Sequence, residues 1–144
     1  MKKYLVTVAC ACMFIVGAYA QDMKTDNVPA NVKAECIKRF PGSATAKVSW
    51  EKEKGNYEAN WGGKSGEDNA AMFTPEGVFV ELVKAIPVNK LPSAAIKYVK
   101  EHENAATIKE AGLVTDPKGV ITYEAELKGK ELIFDKNGTF LKTE

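Results

Sequence analysis

The chain contains the same succession of motifs twice, and this internal repeat constrains its fold more than any other feature. Val28-Pro29 opens the first copy and Leu91-Pro92 opens the second, each followed by apolar residues at helical spacing. Both copies continue with Tyr-Glu-Ala and Phe-x-x-x-Gly-x-Phe motifs, at residues 57–59 and 73–79 and again at 123–125 and 134–140. We therefore expect two repeats of one structural unit, spanning residues 28–90 and 91–144.

Between glycine-rich turns the apolar and polar residues alternate, which predicts antiparallel strands with one apolar face. The apolar positions are Trp50, Tyr57, Ala59 and Trp61 in the first copy, and Ile121, Tyr123, Ala125 and Leu127 in the second. Each copy therefore predicts one amphipathic helix followed by about four strands. The fold class expected is α+β: two tandem α-β-β-β-β repeats, with one helix per repeat packed on one face of antiparallel sheets.

The sheet face turned away from the helices is called the open face, and it carries the candidate binding residues. These residues are Glu58, Asn60, Phe79, Thr122, Glu124 and Glu126. Solvent-exposed charge is one interpretation of the glutamates, and a polar recognition surface is the other. Phe79 and Val83 alternate with Val78, Val80 and Leu82, which predicts an exposed apolar patch. The loop at 62–69 is expected to be a mobile contact element.

This succession of motifs resembles the PepSY-like family of exported proteins, which is also described as similar to the β-lactamase inhibitor protein. The resemblance covers residues 28–144 and rests on the Val/Leu-Pro helix starts, Phe40-Pro41-Gly42, and the paired strand and hairpin motifs. It implies two α/β units side by side, whose sheets form a larger surface with the helices on one side. It also implies binding or inhibition rather than catalysis.

Residues 1–20 have the pattern of a secretory signal peptide. Lys2 and Lys3 precede a short apolar stretch, and Ala18-Tyr19-Ala20 supplies the small residues of a cleavage site between Ala20 and Gln21. A membrane anchor and a lipoprotein leader are the alternatives. We expect a periplasmic protein with no membrane span after cleavage, whose residues 21–27 form a flexible lead-in.

Composition argues against several functional classes. The 144 residues include 20 Lys plus Arg against 19 Asp plus Glu, and Arg39 is the only arginine, so a nucleic-acid partner is not expected. His102 is the only histidine, which argues against a multi-histidine metal site. Cys36 is the one cysteine beyond the leader and lies on the apolar stripe of the first helix, where a buried thiol is expected.

No catalytic set can be recognised, so an enzyme is not expected and no cofactor or metal is predicted. The leading hypothesis is a periplasmic binding or inhibitor-like module that contacts a periplasmic or cell-envelope protein or peptide through its open face and hairpin loops. The alternative is a small-ligand or metal-sensing protein that uses the groove between the repeats. An enzyme based on a carboxylate pair or on Cys36 is a third hypothesis. Target and oligomeric state are left open by the sequence.

Overall fold

The computed structural model describes residues 21–53 and 55–144. The predicted signal peptide, including Ala20, lies outside this range. Two helices, α1 (Ala30–Arg39) and α2 (Ser93–His102), accompany nine strands. The strands are β1 (Gln21–Met23), β2 (Ser49–Glu53), β3 (Asn56–Trp61), β4 (Asn69–Phe73), β5 (Phe79–Ile86), β6 (Glu110–Thr115), β7 (Ile121–Leu127), β8 (Lys130–Asp135) and β9 (Phe140–Thr143).

The strands form one antiparallel sheet in which each strand pairs with the next along the chain, from β1 to β9. One helix followed by four strands therefore occurs twice, as α1 with β2–β5 and as α2 with β6–β9. Pairing of β5 with β6, from Leu82 opposite Thr115 to Ile86 opposite Ala111, joins the two units into one continuous sheet. The α+β class and the tandem α-β-β-β-β architecture are confirmed.

Both helices begin after a proline, Pro29 in the first unit and Pro92 in the second. A proline here loses no backbone hydrogen bond, because the first N–H groups of a helix have no partner within the helix. The chain turns into a 3-10 segment at Pro41–Ala44 after α1. After α2, Asn104 and Ala105 adopt positive φ angles of 50° and 54°, which the helix cannot continue through.

Each helix covers its own unit with a separate core. In the first, Val32 and Cys36 of α1 pack against Trp50, Tyr57, Ala59, Trp61, Ala71 and Phe73. In the second, Ala95 and Val99 of α2 pack against Ala111, Ala125, Leu127, Leu132 and Phe134. The predicted apolar face is confirmed for Trp50, Tyr57 and Trp61, and Cys36 is buried as expected.

The interpretation of Phe79 and Val83 as one exposed apolar patch is wrong. The pairing of β4 with β5 shifts register between Met72 and Phe73, so that Phe73 faces Phe79 while Met72 faces Glu81. This bulge inserts an extra residue and reverses the alternation, so the side chain of Phe79 enters the helix-side core, 5.5 Å from the Phe40 ring. Val83 does lie on the open face, but it is fully buried there.

The segment expected to be a flexible lead-in has regular structure. Gln21–Met23 forms β1 and pairs with β2, with Asp22 opposite Glu51 and Met23 opposite Trp50. Met23 also packs against the first core. Three residues are too few for the alternation of strand β1 to be recognised in the sequence. The backbone pairing with β2 orders this segment.

Candidate functional site

Two acidic clusters and an apolar band make up the open face. Cross-strand pairing places Glu58 opposite Glu51 and Met72, and Met72 opposite Glu81. Side chains paired in this way project from the same face of a sheet, and so do residues two positions apart in one strand. The first acidic cluster therefore comprises Glu51, Glu53, Glu58 and Glu81.

The second acidic cluster lies on the second unit and comprises Glu110, Glu124, Glu126 and Glu131. Glu126 pairs with Glu110 on β6 and with Glu131 on β8, and Glu124 precedes Glu126 by two residues in β7. Glu58 of β3 and Glu124 of β7 belong to the Tyr-Glu-Ala motifs of the two repeats, so the repeat places a glutamate at matching positions in both halves.

An apolar band separates the two clusters. It runs across the sheet through Asn60, Ala70, Val83, Val114 and Thr122, which lie side by side on five successive strands. Ala70, Val83 and Val114 form a small buried cluster of their own. The two helix-side cores contain none of these residues, so the band belongs to the face that α1 and α2 leave uncovered.

Most glutamates of this face are buried rather than solvent-exposed, which corrects one of the two interpretations for Glu58 and Glu124. Glu58 is 3% exposed and Glu124 is 3% exposed. Glu53, Glu81 and Glu131 are buried as well, although alternation alone did not single them out. Side chains of this kind are almost never buried without a specific reason, so the burial marks the face as more than solvated charge.

Burial raises the pKa of Glu58 to about 8, and the nearby carboxylates Glu53, Glu51 and Glu81 add to the shift. One hydrogen bond opposes it: Asn60 Nδ2 donates to Glu58 Oε1 at 3.0 Å. Because a lone carboxyl with such a pKa holds its proton at neutral pH, the first acidic cluster carries less negative charge than its composition suggests.

Among the described carboxyl groups of the face, that of Glu124 has its hydrogen-bonding capacity least satisfied. Burial raises its pKa well above the usual range, and the neighbouring acidic groups Glu131, Glu81, Glu58 and Glu144 reinforce the effect. Within the part of the chain that the structure describes, neither Oε1 nor Oε2 of Glu124 has a hydrogen-bond partner. An unsatisfied buried polar group of this kind costs about 1–3 kcal/mol of stability.

A missing side chain opposite Glu124 makes room for its carboxyl group. Gly112 of β6 pairs with Glu124, in the position that Glu51 occupies opposite Glu58 in the first repeat. A Cβ atom on Gly112 would come within 2.3 Å of Glu124 Oε1 and 2.8 Å of Val83 Cγ1. Only glycine allows the carboxyl to occupy this space, and sequence reasoning missed Gly112 because it lies in a strand rather than in a turn.

The predicted binding residues thus divide between the two faces. Glu58, Asn60, Thr122, Glu124 and Glu126 lie together on the open face, and Phe79 does not. Glu126 is partly buried, and burial raises its pKa, with Glu110 adding to the effect and Lys109 opposing it. In the described residues, no three acidic, cysteine or histidine side chains are arranged to hold a metal ion.

Several clefts adjoin the face, one of which, of about 510 Å³, is lined by residues that include Thr122. A cavity of about 320 Å³ lies where β5 meets β6, between the repeats, and is lined by residues that include Asp68, Pro87, Lys109 and Glu110. Another, of about 400 Å³, lies beside the glycine-rich loop and is lined by Lys47, Ser49 and residues 62–66. Among the described residues, no helix is both long enough and apolar enough to cross a bilayer.

Comparison with solved structures identifies the same fold in several proteins of Bacteroides. One of the "putative periplasmic proteins" of Bacteroides eggerthii DSM 20697 is 18% identical, with a TM-score of 0.62 over 81% of this chain and 88% of its own. A DUF2874 family protein from Bacteroides uniformis ATCC 8492 is 19% identical, with a TM-score of 0.61 over 81% and 88% of the two chains.

A BLIP-like protein from Bacteroides fragilis NCTC 9343 is 17% identical, with a TM-score of 0.56 over 81% of this chain and 84% of its own. At these identities the likeness shows the fold alone. No protein-family model and no curated protein matches the sequence. Fold and site together therefore define an α+β tandem-repeat domain, of a fold shared with these solved structures, whose open face is acidic.

Proposed function

We propose that the protein is an exported periplasmic binding or inhibitor-like module that contacts a protein or peptide of the cell envelope through its open face and hairpin loops. The two repeats, residues 28–90 and 91–144, form one binding domain after a leader is removed between Ala20 and Gln21. We also propose that the protein is related to the PepSY-like proteins that its motifs resemble. The contact surface is the part of the open face that contains Glu58, Asn60, Thr122, Glu124 and Glu126.

The observation that carries the proposal is the buried polar chemistry of a face that neither helix covers. Both cores lie on the helix side, yet Glu58 and Glu124 are buried on the opposite side. A structural role alone would favour apolar side chains at such positions, because buried carboxyls reduce stability. Retaining them is expected where a partner supplies the missing interactions.

Two further points support the proposal. One solved structure with this fold is described as a BLIP-like protein, which agrees with a binding role. Another is described as periplasmic, which agrees with the leader-like pattern of residues 1–20.

Capture of partners from periplasmic extract, with variants on opposite faces, tests the proposal. The open-face variant combines Glu51→Lys and Glu110→Lys at the less buried edges of the acidic clusters. The control combines Lys97→Glu and Lys100→Glu on the exposed surface of α2, which reverses the same number of charges. We expect one partner to be retained by the wild type and the control and lost by the open-face variant. Equal retention by all three proteins would contradict the proposal.

The cavity between the repeats supports a second candidate function, a small-ligand or metal sensor. Its lining combines Lys109, Glu110 and Asp68 with the apolar Ile86 and Val88, a mixture typical of small-molecule sites. A ligand that binds only the folded state raises the melting temperature. Thermal-shift screening with divalent metals and periplasmic metabolites tests this function, and unchanged melting temperatures across the screen would eliminate it.

A further inference from the structure

The open face also indicates the chemistry of its partner. We infer that it binds an extended basic–apolar–basic segment of another exported protein, whose positively charged side chain is anchored by the carboxylate of Glu124 above Gly112. This inference rests on the proposed function, because it assumes that the open face is the contact surface. It adds the class of partner and the anchoring residue.

The anchor is defined by two independent observations. Both carboxylate oxygens of Glu124 are buried without a hydrogen-bond partner among the described residues. Gly112 keeps open the space that the carboxyl group occupies, because any Cβ there would collide with Oε1 and with Val83. A guanidinium group donates two parallel hydrogen bonds to a carboxylate, so an arginine satisfies both oxygens at once.

The charges around the anchor select a cation. The groups that raise the pKa of Glu124 through charge are all acidic: Glu131, Glu81, Glu58 and Glu144. Lys142, which pairs with Ile133 beside Glu124, is the basic residue at this level of the sheet, and its ammonium group binds Glu144 at the edge. An anionic side chain would be repelled here, whereas a cation compensates several carboxylates together.

The apolar band determines what lies between the basic groups. Val83 and Val114 separate the two acidic clusters and offer aliphatic contacts to a bound segment. The strands that carry Glu58 and Glu124, β3 and β7, are four strands apart, so a segment that crosses the strands between them covers about 20 Å of sheet. About six extended residues span that distance, so basic residues are expected at both ends of a short apolar stretch.

Binding changes the protonation of the anchor. In the free protein, burial and like charges raise the pKa of Glu124 and so favour its protonated form, whereas the arrival of a cation favours the ionised carboxylate. The proton leaves to buffer, and the carboxylate accepts hydrogen bonds from the guanidinium. Charged groups from several strands lie around Glu124: Glu110 on β6, Glu126 on β7, Glu131 on β8, Lys142 and Glu144 at the β9 edge, and Glu58 and Glu81 on β3 and β5. Long side chains such as Glu131 and Lys142 admit the partner by rotating about their χ angles.

Calorimetry with two matched peptides tests the inference on protein recovered from the periplasm, its N-terminus determined by mass spectrometry. One peptide, about ten residues long, has two arginines at each end and alternating leucine and serine between them. The other has glutamine in place of each arginine. Titrations at neutral pH in phosphate and in Tris, which differ in ionisation enthalpy, measure proton release.

We expect the arginine peptide to bind about 30-fold or more tightly than the glutamine peptide and to release protons. Glu124→Gln should weaken binding and reduce the release, whereas Glu101→Gln, which removes an exposed carboxylate of α2, should change neither. Equal affinity for both peptides would overturn the inference without requiring any variant. If a partner is captured through the open face but the arginine peptide does not bind, the proposed function stands and the basic class of partner is wrong.

Discussion

Gly112 lies directly opposite Glu124 in the pairing of β6 with β7, and the carboxyl group of Glu124 occupies the space that a side chain at position 112 would fill. The equivalent pair in the first repeat is Glu51 with Glu58, so the two halves of the sheet accommodate a buried glutamate in different ways. In the first repeat a hydrogen bond from Asn60 supports the buried glutamate, and in the second an absent side chain accommodates it.

The first prediction concerns this accommodation. Gly112→Ala should lower the free energy of unfolding by about 1–3 kcal/mol, because the new methyl group overpacks Glu124 and Val83. Gly42→Ala is the matched control, since a Cβ atom there meets nothing within 4 Å. Urea denaturation measures both variants. A Gly112→Ala protein as stable as the Gly42→Ala protein would show that the carboxyl group does not occupy this space.

The pH dependence of stability should reflect Glu58. Its pKa lies at about 8 in the folded protein, against an ordinary value of 4.5. As the pH rises through this window the unfolded chain releases a proton that the folded chain retains, so the free energy of unfolding falls and stays lower above pH 8. Glu58→Gln removes the ionisation and should raise the free energy of unfolding by about 1–3 kcal/mol at pH 9.

At pH 4 the same substitution should leave stability almost unchanged, because Glu58 is then protonated in both states. Glutamine also retains an oxygen that can accept the hydrogen bond from Asn60. Thermal melts of the wild type and the variant at the two pH values provide the measurement. A difference of equal size at both pH values would argue that packing rather than ionisation is responsible.

The two hairpin turns offer a comparison within one molecule. Gly77 and Gly138 occupy matching positions with φ angles of +83° and +84°, so alanine is strained at both. A Cβ atom on Gly138 would lie 2.8 Å from the backbone nitrogen of Ala95 in α2, whereas one on Gly77 comes no closer than 3.1 Å, to the side chain of Asn31. Gly138→Ala should therefore be the more destabilising.

Gly129→Ala separates the cost of the positive φ angle from the cost of the steric contact. Gly129 has a φ of +80° and open space around its Cβ position, so only the backbone cost applies there. Its loss of stability, about 1 kcal/mol, measures the cost of the backbone conformation alone. The expected order of melting temperatures is Gly129→Ala highest and Gly138→Ala lowest. An order in which Gly138→Ala melts no lower than Gly129→Ala would contradict the contact between this turn and α2.

The continuous sheet predicts that the two repeats unfold together. Phe73 and Phe134 are fully buried at equivalent positions of the two cores. Each contacts a second phenylalanine, Phe79 at 5.9 Å and Phe140 at 6.0 Å between ring centroids. Phe73→Ala and Phe134→Ala should each cost about 3–5 kcal/mol.

Because β5 pairs with β6 across the repeat boundary, both repeats should unfold in one calorimetric transition. Either substitution should lower the midpoint temperature of that shared transition. Val78→Ala, on an exposed side chain, should have almost no effect. Two separate transitions, of which only one moves in each variant, would show that the repeats are independent units.

Much of this architecture could be predicted from the sequence. The prolines before the helices, the period of two in the strands and the Gly77 and Gly138 turns are local signals, and the structure follows them. The reversal of alternation at Phe79 could not be predicted, because a bulge depends on how β4 and β5 pair rather than on the residues of one strand.

For the open face, too, some features could be predicted from the sequence and others could not. Alternation correctly placed Glu58, Glu124 and Glu126 away from the helices. Their burial could not be inferred, because it depends on neighbours from distant strands such as Glu81 and Glu131. The role of Gly112 became visible only when the register placed it opposite Glu124.

Site-specific photo-crosslinking in the intact periplasm tests most directly whether the open face is the contact surface. A photoreactive phenylalanine replaces Thr122, a half-buried residue of the apolar band, in one variant, and Lys97, an exposed residue of α2, in the other. The account predicts a covalent adduct with a single cell-envelope protein or peptide from position 122 and none from position 97. An adduct formed from position 97 alone would place the contact surface on the helix side and contradict it.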